Sequence, residues 1–315
     1  MKMFVFLRIE GEKMSKAKAY LCALSGAAAW GLIGIFVAPL YARGFTAWDV
    51  VAIRAVLSFV FLFLLMLLFF RPQLRTYFRD HLFFAGAGIL SMAFFNYFYF
   101  EVFAQSSLSL AVTLLYTGPL FVTLLSRLFF KEPFTPRKMF ALFLAIIGCA
   151  FVVGLLPFGE AQVPLQVLVM GILSGFCYAL YSIFGKAVSH RYSAFTITTY
   201  TFFYAGIFMV ITSDVWGKLD AFVYPDVWIS ALLLAIVSTV LGYLLYTTGL
   251  KHIEASKASI LATVEPIVAV ITGVLFLGDY LLFWQVLGIV LVLYSAILVT
   301  QNSHKIRKRK AGVQQ

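Results

Sequence analysis

Charge is scarce in this 315-residue sequence: Asp, Glu, Lys and Arg together make up 12% of it, against 63% hydrophobic residues. With so little polar surface to offer, the chain cannot fold as a water-soluble globule. Cysteine is scarce too. Cys22, Cys149 and Cys177 sit in apolar stretches without CxxC spacing, which excludes a disulfide framework and a cysteine metal site and leaves small packing residues. His81, His190, His252 and His304 fall at the ends of apolar stretches and form no helical pair. HExxH, GxSxG, Walker A and EF-hand patterns are missing. The sequence therefore calls for no metal or cofactor, assembles no nucleophile and base for an intramembrane enzyme, and offers no P-loop for ATP hydrolysis. Long polar segments are also absent: 71–81 and 213–226 are the longest connections, too short for an extramembrane domain.

What remains is apolar, with a mean hydropathy of +0.98. A helix that crosses a hydrocarbon core needs roughly 20 mostly apolar residues. Ten stretches qualify, at about 17–40, 48–70, 82–104, 107–130, 137–156, 164–186, 194–212, 227–250, 256–277 and 281–300. The expectation is an all-α integral membrane protein of ten transmembrane helices. It comprises a tail at 1–16, a first five-helix repeat at 17–156, a second at 164–300 and a basic tail at 301–315. The run Phe4–Leu7 is too short for a signal-peptide core, so the first long stretch stays as a helix. Met14, just before Ser15, is an alternative start.

The net charge of +11 is distributed by side. With the N-terminus placed inside, the inner segments hold Lys2, Arg8, Lys13, Lys16 and Lys18, Arg71, Arg75 and Arg79, Lys131, Arg137 and Lys138, Lys186 and Arg191, Lys251 and Lys257, and the tail HKIRKRK. The other side has only Arg43 and Lys218. This bias predicts ten helices with both termini cytoplasmic. The basic tail reads as a topology and lipid-headgroup anchor rather than a nucleic-acid reader, since no aromatic residues interleave it.

One segment occurs twice. Ser109 to Glu132 aligns without a gap to Ser256 to Asp279, pairing Ser109 with Ser256, Ala111 with Ala258, Pro119 with Pro266 and Phe129 with Phe276. At an offset one residue larger, Ala27–Trp30 faces Gly175–Tyr178. Five helices per half is odd, so the second half enters the membrane from the opposite side, an inverted repeat. Ala27-x-x-x-Gly31 and Gly171-x-x-x-Gly175 each place two small residues on one helix face, where backbones can approach closely.

Glu265, before Pro266, lies about nine residues into its helix, near mid-membrane. An acid there costs roughly 2.5–3.5 kcal/mol to insert and normally faces the bundle interior or water. Either it belongs to a substrate or proton site, or it is a protonated group that bonds a neighbouring helix beside a bend. Gly118-Pro119 repeats the bend without the carboxylate, so Gly118, Pro119 and Pro266 are hinge candidates and the two halves are chemically unequal. Arg54 sits two turns into its helix and also needs a partner, with Asp49 and Glu101 as candidates. It either attracts an anionic group, such as a carboxylate, or locks its helix structurally. Asn96, Tyr97, Tyr99, Glu101, Tyr243, Tyr246 and Thr247, with Trp30, Tyr116, Thr117, Tyr178 and Tyr181, supply rings and hydroxyls inside the membrane. They line a cavity for organic solutes or form interfacial belts.

These residues resemble the drug/metabolite transporter superfamily, in its ten-helix members built from two EamA-type repeats. Ala29-Trp30-Gly31, Ala52-Ile53-Arg54, Tyr116-Thr117-Gly118-Pro119 with Lys131-Glu132, and Val264-Glu265-Pro266 with Leu277-Gly278-Asp279 carry the likeness. Lys131-Glu132 stands where Gly-Glu is usual, and Asp279 where Glu is commoner. The resemblance implies a plasma-membrane carrier, often an exporter of amino acids, related metabolites or drugs, working by alternating access through a cavity between the halves. On that basis helices 1, 3, 4, 6, 8 and 9 line a midplane cavity for a small-molecule substrate, with a proton or counter-solute as coupling partner and lipids around it. An importer of the same fold and a passive channel or lipid-handling protein are the alternatives.

Overall fold

The computed structural model describes residues 14–157, 163–277 and 280–301. The closing acid Asp279, the residues before Met14 and the basic tail beyond Gln301 lie outside that set. Among the described residues there is no strand. Nine helices among those residues are long and apolar enough to cross a membrane: α1 (Lys16–Ala42), α2 (Ala47–Phe69), α3 (Phe78–Gln105), α4 (Leu110–Phe130), α6 (Leu165–Val188), α7 (Ala194–Thr212), α8 (Pro225–His252), α9 (Ala255–Phe276) and α10 (Phe283–Thr300). The stretch expected at 137–156 forms a shorter 17-residue helix, α5 (Pro136–Val152).

Local sequence starts these helices. Ser15, Thr135 and Ser193 each accept a backbone N–H of the first turn with their side chains. Thr46 and Asp49 form a reciprocal capping box at the start of α2. The interiors are less regular than hydropathy predicts. α1 breaks at Leu32, α4 at Tyr116–Thr117 and α9 at Thr263–Val264, the latter two immediately before the Gly118-Pro119 and Glu265-Pro266 pairs. Proline supplies no N–H and crowds the preceding turn, so each helix restarts at its proline. α3 and α8 widen to π-helix over Gly86–Ala93 and Leu234–Leu241, corresponding places in the two halves. Nothing in the amino-acid pattern announces these widenings.

The halves interdigitate. α1 packs on α8 and α3 on α6, while α2 pairs with α7 and α5 with α10. Each of these pairs takes one helix from each half, so the interface between the halves is the core of the molecule. Small residues make this possible. A Cβ on Gly148 would stand 3.0 Å from the Gly288 carbonyl, and one on Gly288 2.6 Å from the Gly148 carbonyl, so the backbones of α5 and α10 touch there. Gly171 and Gly175 both abut α4, at Leu114 and Thr117, and Gly31 abuts the Glu265 backbone on α9. Both small-residue patterns therefore lie at helix contacts.

Ion pairs repeat the same symmetry. Arg43, after α1, bonds Asp226 at the start of α8 with nitrogen–oxygen distances of 3.0 and 3.1 Å, and Arg191, after α6, bonds Asp80 in the first turn of α3. Lys218 pairs with the buried Asp49 at 2.6 Å. Both basic residues on the sparsely charged side are thus held by acids of the opposite half. At the basic end, Glu132 accepts the Ala255 N–H at 2.6 Å, the Ser256 N–H at 3.2 Å and the Ser256 hydroxyl, capping α9 from the end of α4. Lys138 bridges Glu254 at 2.6 Å beside it.

Candidate functional site

The restart of α9 places Glu265 at the first position of its second segment. Its side chain lies deep among the helices and keeps part of its surface free. The Tyr116 hydroxyl, at the matching break of α4, faces that carboxylate. Tyr116 itself is buried against Cys149, Ile267 and Val292. Tyr99, Tyr178 and Tyr243 come within electrostatic reach of the same carboxylate, from α3, α6 and α8.

Tyr178 and Tyr243 lead from Glu265 into an aromatic pocket. Trp30 of α1 packs on Tyr243 and Tyr246 with ring centroids 4.9 and 5.0 Å apart, and Tyr181 meets Tyr243 edge-on at 4.9 Å. Hydroxyl pairs fix the rings: Tyr181 with Thr247 at 2.6 Å and Ser182 with Tyr246 at 2.8 Å. Ser91 and Phe95 close the α3 side. The free volume is about 10 Å³, room for about one water, so the pocket is closed to an organic solute in this conformation. The Trp30 Nε1–H is buried and has no acceptor among the described residues. That nitrogen abuts α8 at Gly242, where an added Cβ would stand 2.7 Å from it, and a buried donor left without an acceptor costs free energy.

Several expected site residues are elsewhere. Tyr97 is 46% exposed, meets Trp48 edge-on and is not among the residues that line the aromatic pocket. Asn96 is buried but donates to the Met92 carbonyl at 2.6 Å, its own preceding turn. Glu101 accepts from Gln105 at 3.0 Å, one turn on, near the far end of α3. The Thr117 hydroxyl is taken by the Leu114 carbonyl at 2.7 Å and serves the helix break. Neither proposed partner of Arg54 reaches it, because Asp49 is held by Lys218 and the Thr46 cap, and Glu101 by Gln105. Ser91, Phe95 and Ser182 were not foreseen. Small polar or aromatic residues one turn from expected ones are the only signal that could have found them.

A larger cavity, about 340 Å³, opens at the basic end beside Tyr20, Glu132, Lys186 and Lys257. Three of its charged groups are already partnered. Lys186 donates to the Leu250 and Ile253 carbonyls at 2.7 and 2.6 Å, Lys257 pairs with Glu254 at 3.0 Å, and Glu132 caps α9. The buried side-chain atoms without a hydrogen-bond partner among the described residues include Trp30 Nε1 and Arg54 Nε, together with Asp49 Oδ1 and the hydroxyls of Thr198, Thr201, Ser213 and Ser238.

An all-helical bundle with apolar spans, a buried carboxylate at a helix break and a polar aromatic pocket defines a multi-pass membrane transporter. The chain belongs to the EamA-like transporter family, whose model matches it twice, over 17–154 and 165–301. That places it in the drug/metabolite transporter superfamily, a family of transporters and not of enzymes, and, in a bacterium, in the plasma membrane. An uncharacterized transporter from Archaeoglobus fulgidus is 26% identical over 67% of this chain and 75% of its own. The threonine/homoserine exporter RhtA of Escherichia coli K12 is 27% identical over 78% of this chain and 81% of its own. A solved crystal structure shares the fold at a TM-score of 0.76 over 91% of this chain and 97% of that one, with 14% identity.

Proposed function

We propose that this protein is a secondary transporter that exports small organic metabolites, amino acids or aromatic amphiphiles, by alternating access between its halves. The observation that carries this is the position of Glu265: a carboxylate at the break of α9, with Tyr116 facing it from the matching break of α4 and an aromatic pocket adjoining it. Broken helices at the midplane are where repeat-built carriers bind their solutes. The likeness to RhtA supports export of an amino acid. In this reading α5 is a tenth span, the two halves are inverted, and the basic end, which holds Lys138, Lys186 and Lys257, is cytoplasmic.

Glu132 and Lys138 hold α4, α5 and α9 together at the cytoplasmic end, and Arg43–Asp226 and Lys218–Asp49 tie the outer end. Rocking of the halves about the paired helix breaks exchanges which set of contacts is intact. A proton or counter-solute at Glu265 supplies the coupling. Purified protein in liposomes is expected to show saturable amino-acid flux with trans-stimulation. Glu265→Gln is expected to lower turnover and flatten its pH dependence while leaving the yield of folded protein unchanged. Non-saturable flux far above carrier turnover would establish a channel instead, and unchanged pH dependence in Glu265→Gln would remove the coupling role.

A further inference from the structure

Five of the described spans meet around the cavity of about 340 Å³ at the basic end. Lys16 opens α1, Glu132 follows the end of α4, Lys186 lies in the last turn of α6, His252 ends α8 and Lys257 sits in the first turn of α9. All of them line the cavity, together with Glu254 between α8 and α9. Each stands where a span begins or ends, so the cavity lies at the depth at which helices leave the hydrocarbon for the lipid headgroups. Its volume falls in the range of small-ligand sites, about 300–1,000 Å³.

The charges on its wall do not cancel. Three lysines and a histidine face two carboxylates, and both carboxylates are engaged. Glu132 accepts the Ala255 N–H and both donors of Ser256, and Glu254 is held by Lys138 at 2.6 Å and by Lys257 at 3.0 Å. Lys186 directs its ammonium to the carbonyls of Leu250, Lys251 and Ile253, at 2.7, 3.3 and 2.6 Å, at the end of α8. Those dipoles satisfy its hydrogen bonds, but no carboxylate stands within 4.0 Å of it among the described residues. The side chains of Lys16 and His252 have neither a hydrogen bond nor an ion pair among the described residues. The wall thus presents two unengaged donors, backed by an ammonium whose charge no acid matches.

We propose that this cavity binds a phosphate group, carried by an anionic lipid or free in solution, with Lys16 and His252 donating to its oxygens and Lys186 and Lys257 supplying positive charge behind them. Basic pockets between transmembrane helices at headgroup depth suit phospholipid heads, and phosphate oxygens accept several charge-assisted N–H donors at once. Glu132 and Glu254 do not compete for those donors, because α9, Lys138 and Lys257 already hold them. A bound phosphate joins α1 of the first half to α6, α8 and α9 of the second, so it fastens the halves together at the basic end. The site shares no residue with the aromatic pocket, and it does not depend on which solute is carried.

The test is thermal unfolding of the purified full chain in detergent, at constant ionic strength, titrated with dioleoylphosphatidylglycerol or with inorganic phosphate. Dioleoylphosphatidylcholine, whose choline offsets its phosphate, is the reference. At saturation one or both probes are expected to raise the wild-type midpoint above the reference by about 2–4 °C. A double variant, Lys16→Gln with His252→Gln, should need about 10- to 100-fold more of the same probe for the same shift. Lys18→Gln removes the same formal charge outside the cavity and should respond like wild type. A shift with the lipid but not with inorganic phosphate identifies the ligand as a headgroup, and the reverse identifies a free anion. A wild type that neither probe shifts above the reference overturns the proposal whether or not the variants fold. So does a monodisperse double variant that responds like wild type, or a Lys18→Gln that loses as much as the double variant, since the basic segments at large would then be the binding surface. Solute flux plays no part in this readout, so a protein that binds phosphate and carries nothing would remove the transport reading and leave this site standing.

Discussion

Removing the Glu132 carboxylate should destabilise the bundle more than any other single change at its basic end. Glu132 is 7% exposed and accepts three donors at the start of α9, the Ala255 N–H at 2.6 Å, the Ser256 N–H at 3.2 Å and the Ser256 hydroxyl, with Lys138 Nζ 3.8 Å away. A hydrogen bond to a charged acceptor contributes roughly 1.5–3 kcal/mol, and loss of a helix cap costs about 0.5–2 kcal/mol. These overlap and do not add, because one carboxylate serves all three donors. Glu132→Ala leaves those donors unsatisfied, and a cost of about 3 kcal/mol is expected. Glu132→Gln keeps one acceptor oxygen but turns its amide toward another donor, and about half that cost is expected. Equilibrium unfolding in detergent, followed by the fluorescence of the five tryptophans, reads both. Lys131→Ala, an exposed neighbour, is the reference, and at most about 0.5 kcal/mol separates it from wild type through contacts. A Glu132→Ala protein that unfolds together with the Lys131→Ala reference would refute the capping argument.

Lys131 itself has φ of 57°, the left-handed conformation in which glycine ends helices, so Lys131→Gly should raise the unfolding midpoint, by up to about 1 kcal/mol in the same assay. Lys218→Ala strands Asp49, which is 1% exposed. The expected cost is about 2 kcal/mol, below the roughly 3–5 kcal/mol of fully buried pairs because Lys218 is 26% exposed. Arg43→Ala, whose pair with Asp226 is open to solvent, should leave the unfolding midpoint unchanged, and a loss equal to that of Lys218→Ala would refute the distinction. Burial opposes ionisation of Glu254, but hydrogen bonds from Lys138 and Lys257 outweigh it and hold its carboxyl below the usual range. Its contribution is therefore present above the ordinary carboxylate value of about 4.3 and lost as pH falls through the lowered one. Glu254→Gln should flatten the acid side of the stability profile measured from pH 6 to 3.

The site was legible in part. Glu265 stood out because a mid-membrane acid is costly wherever it points, and the duplicated proline segment located both helix breaks. Trp30, Tyr178, Tyr181, Tyr243 and Tyr246 do converge, held by hydroxyl pairs with Ser182 and Thr247. Tyr97 lies outside that group. In a chain this apolar, the lipid-facing side of a helix is as hydrophobic as the core-facing side, so a period of 3.6 residues carries little signal about which way a ring points. The isolation of Arg54 was hidden likewise. Asp49 is near it in sequence, but the Thr46 cap and Lys218, the latter from the other half, claim that carboxylate first.

The sequence by itself determined the solvent, through hydropathy, and the duplication, through the repeat of Ser109–Glu132 in the second half. It also determined the inequality of the halves, since Glu265 and Arg54 have no counterparts. Those properties are one-dimensional and need no neighbours. Only the tertiary structure decided that the halves interlock helix by helix, that α3 and α8 widen at matching places, and that Tyr116 faces Glu265 while the buried Arg54 Nε is left without a hydrogen-bond partner among the described residues. Lipid offers no hydrophobic drive to bring helices together, so their arrangement is set by where backbones can approach and polar groups can be satisfied, and both depend on residues far apart in the chain.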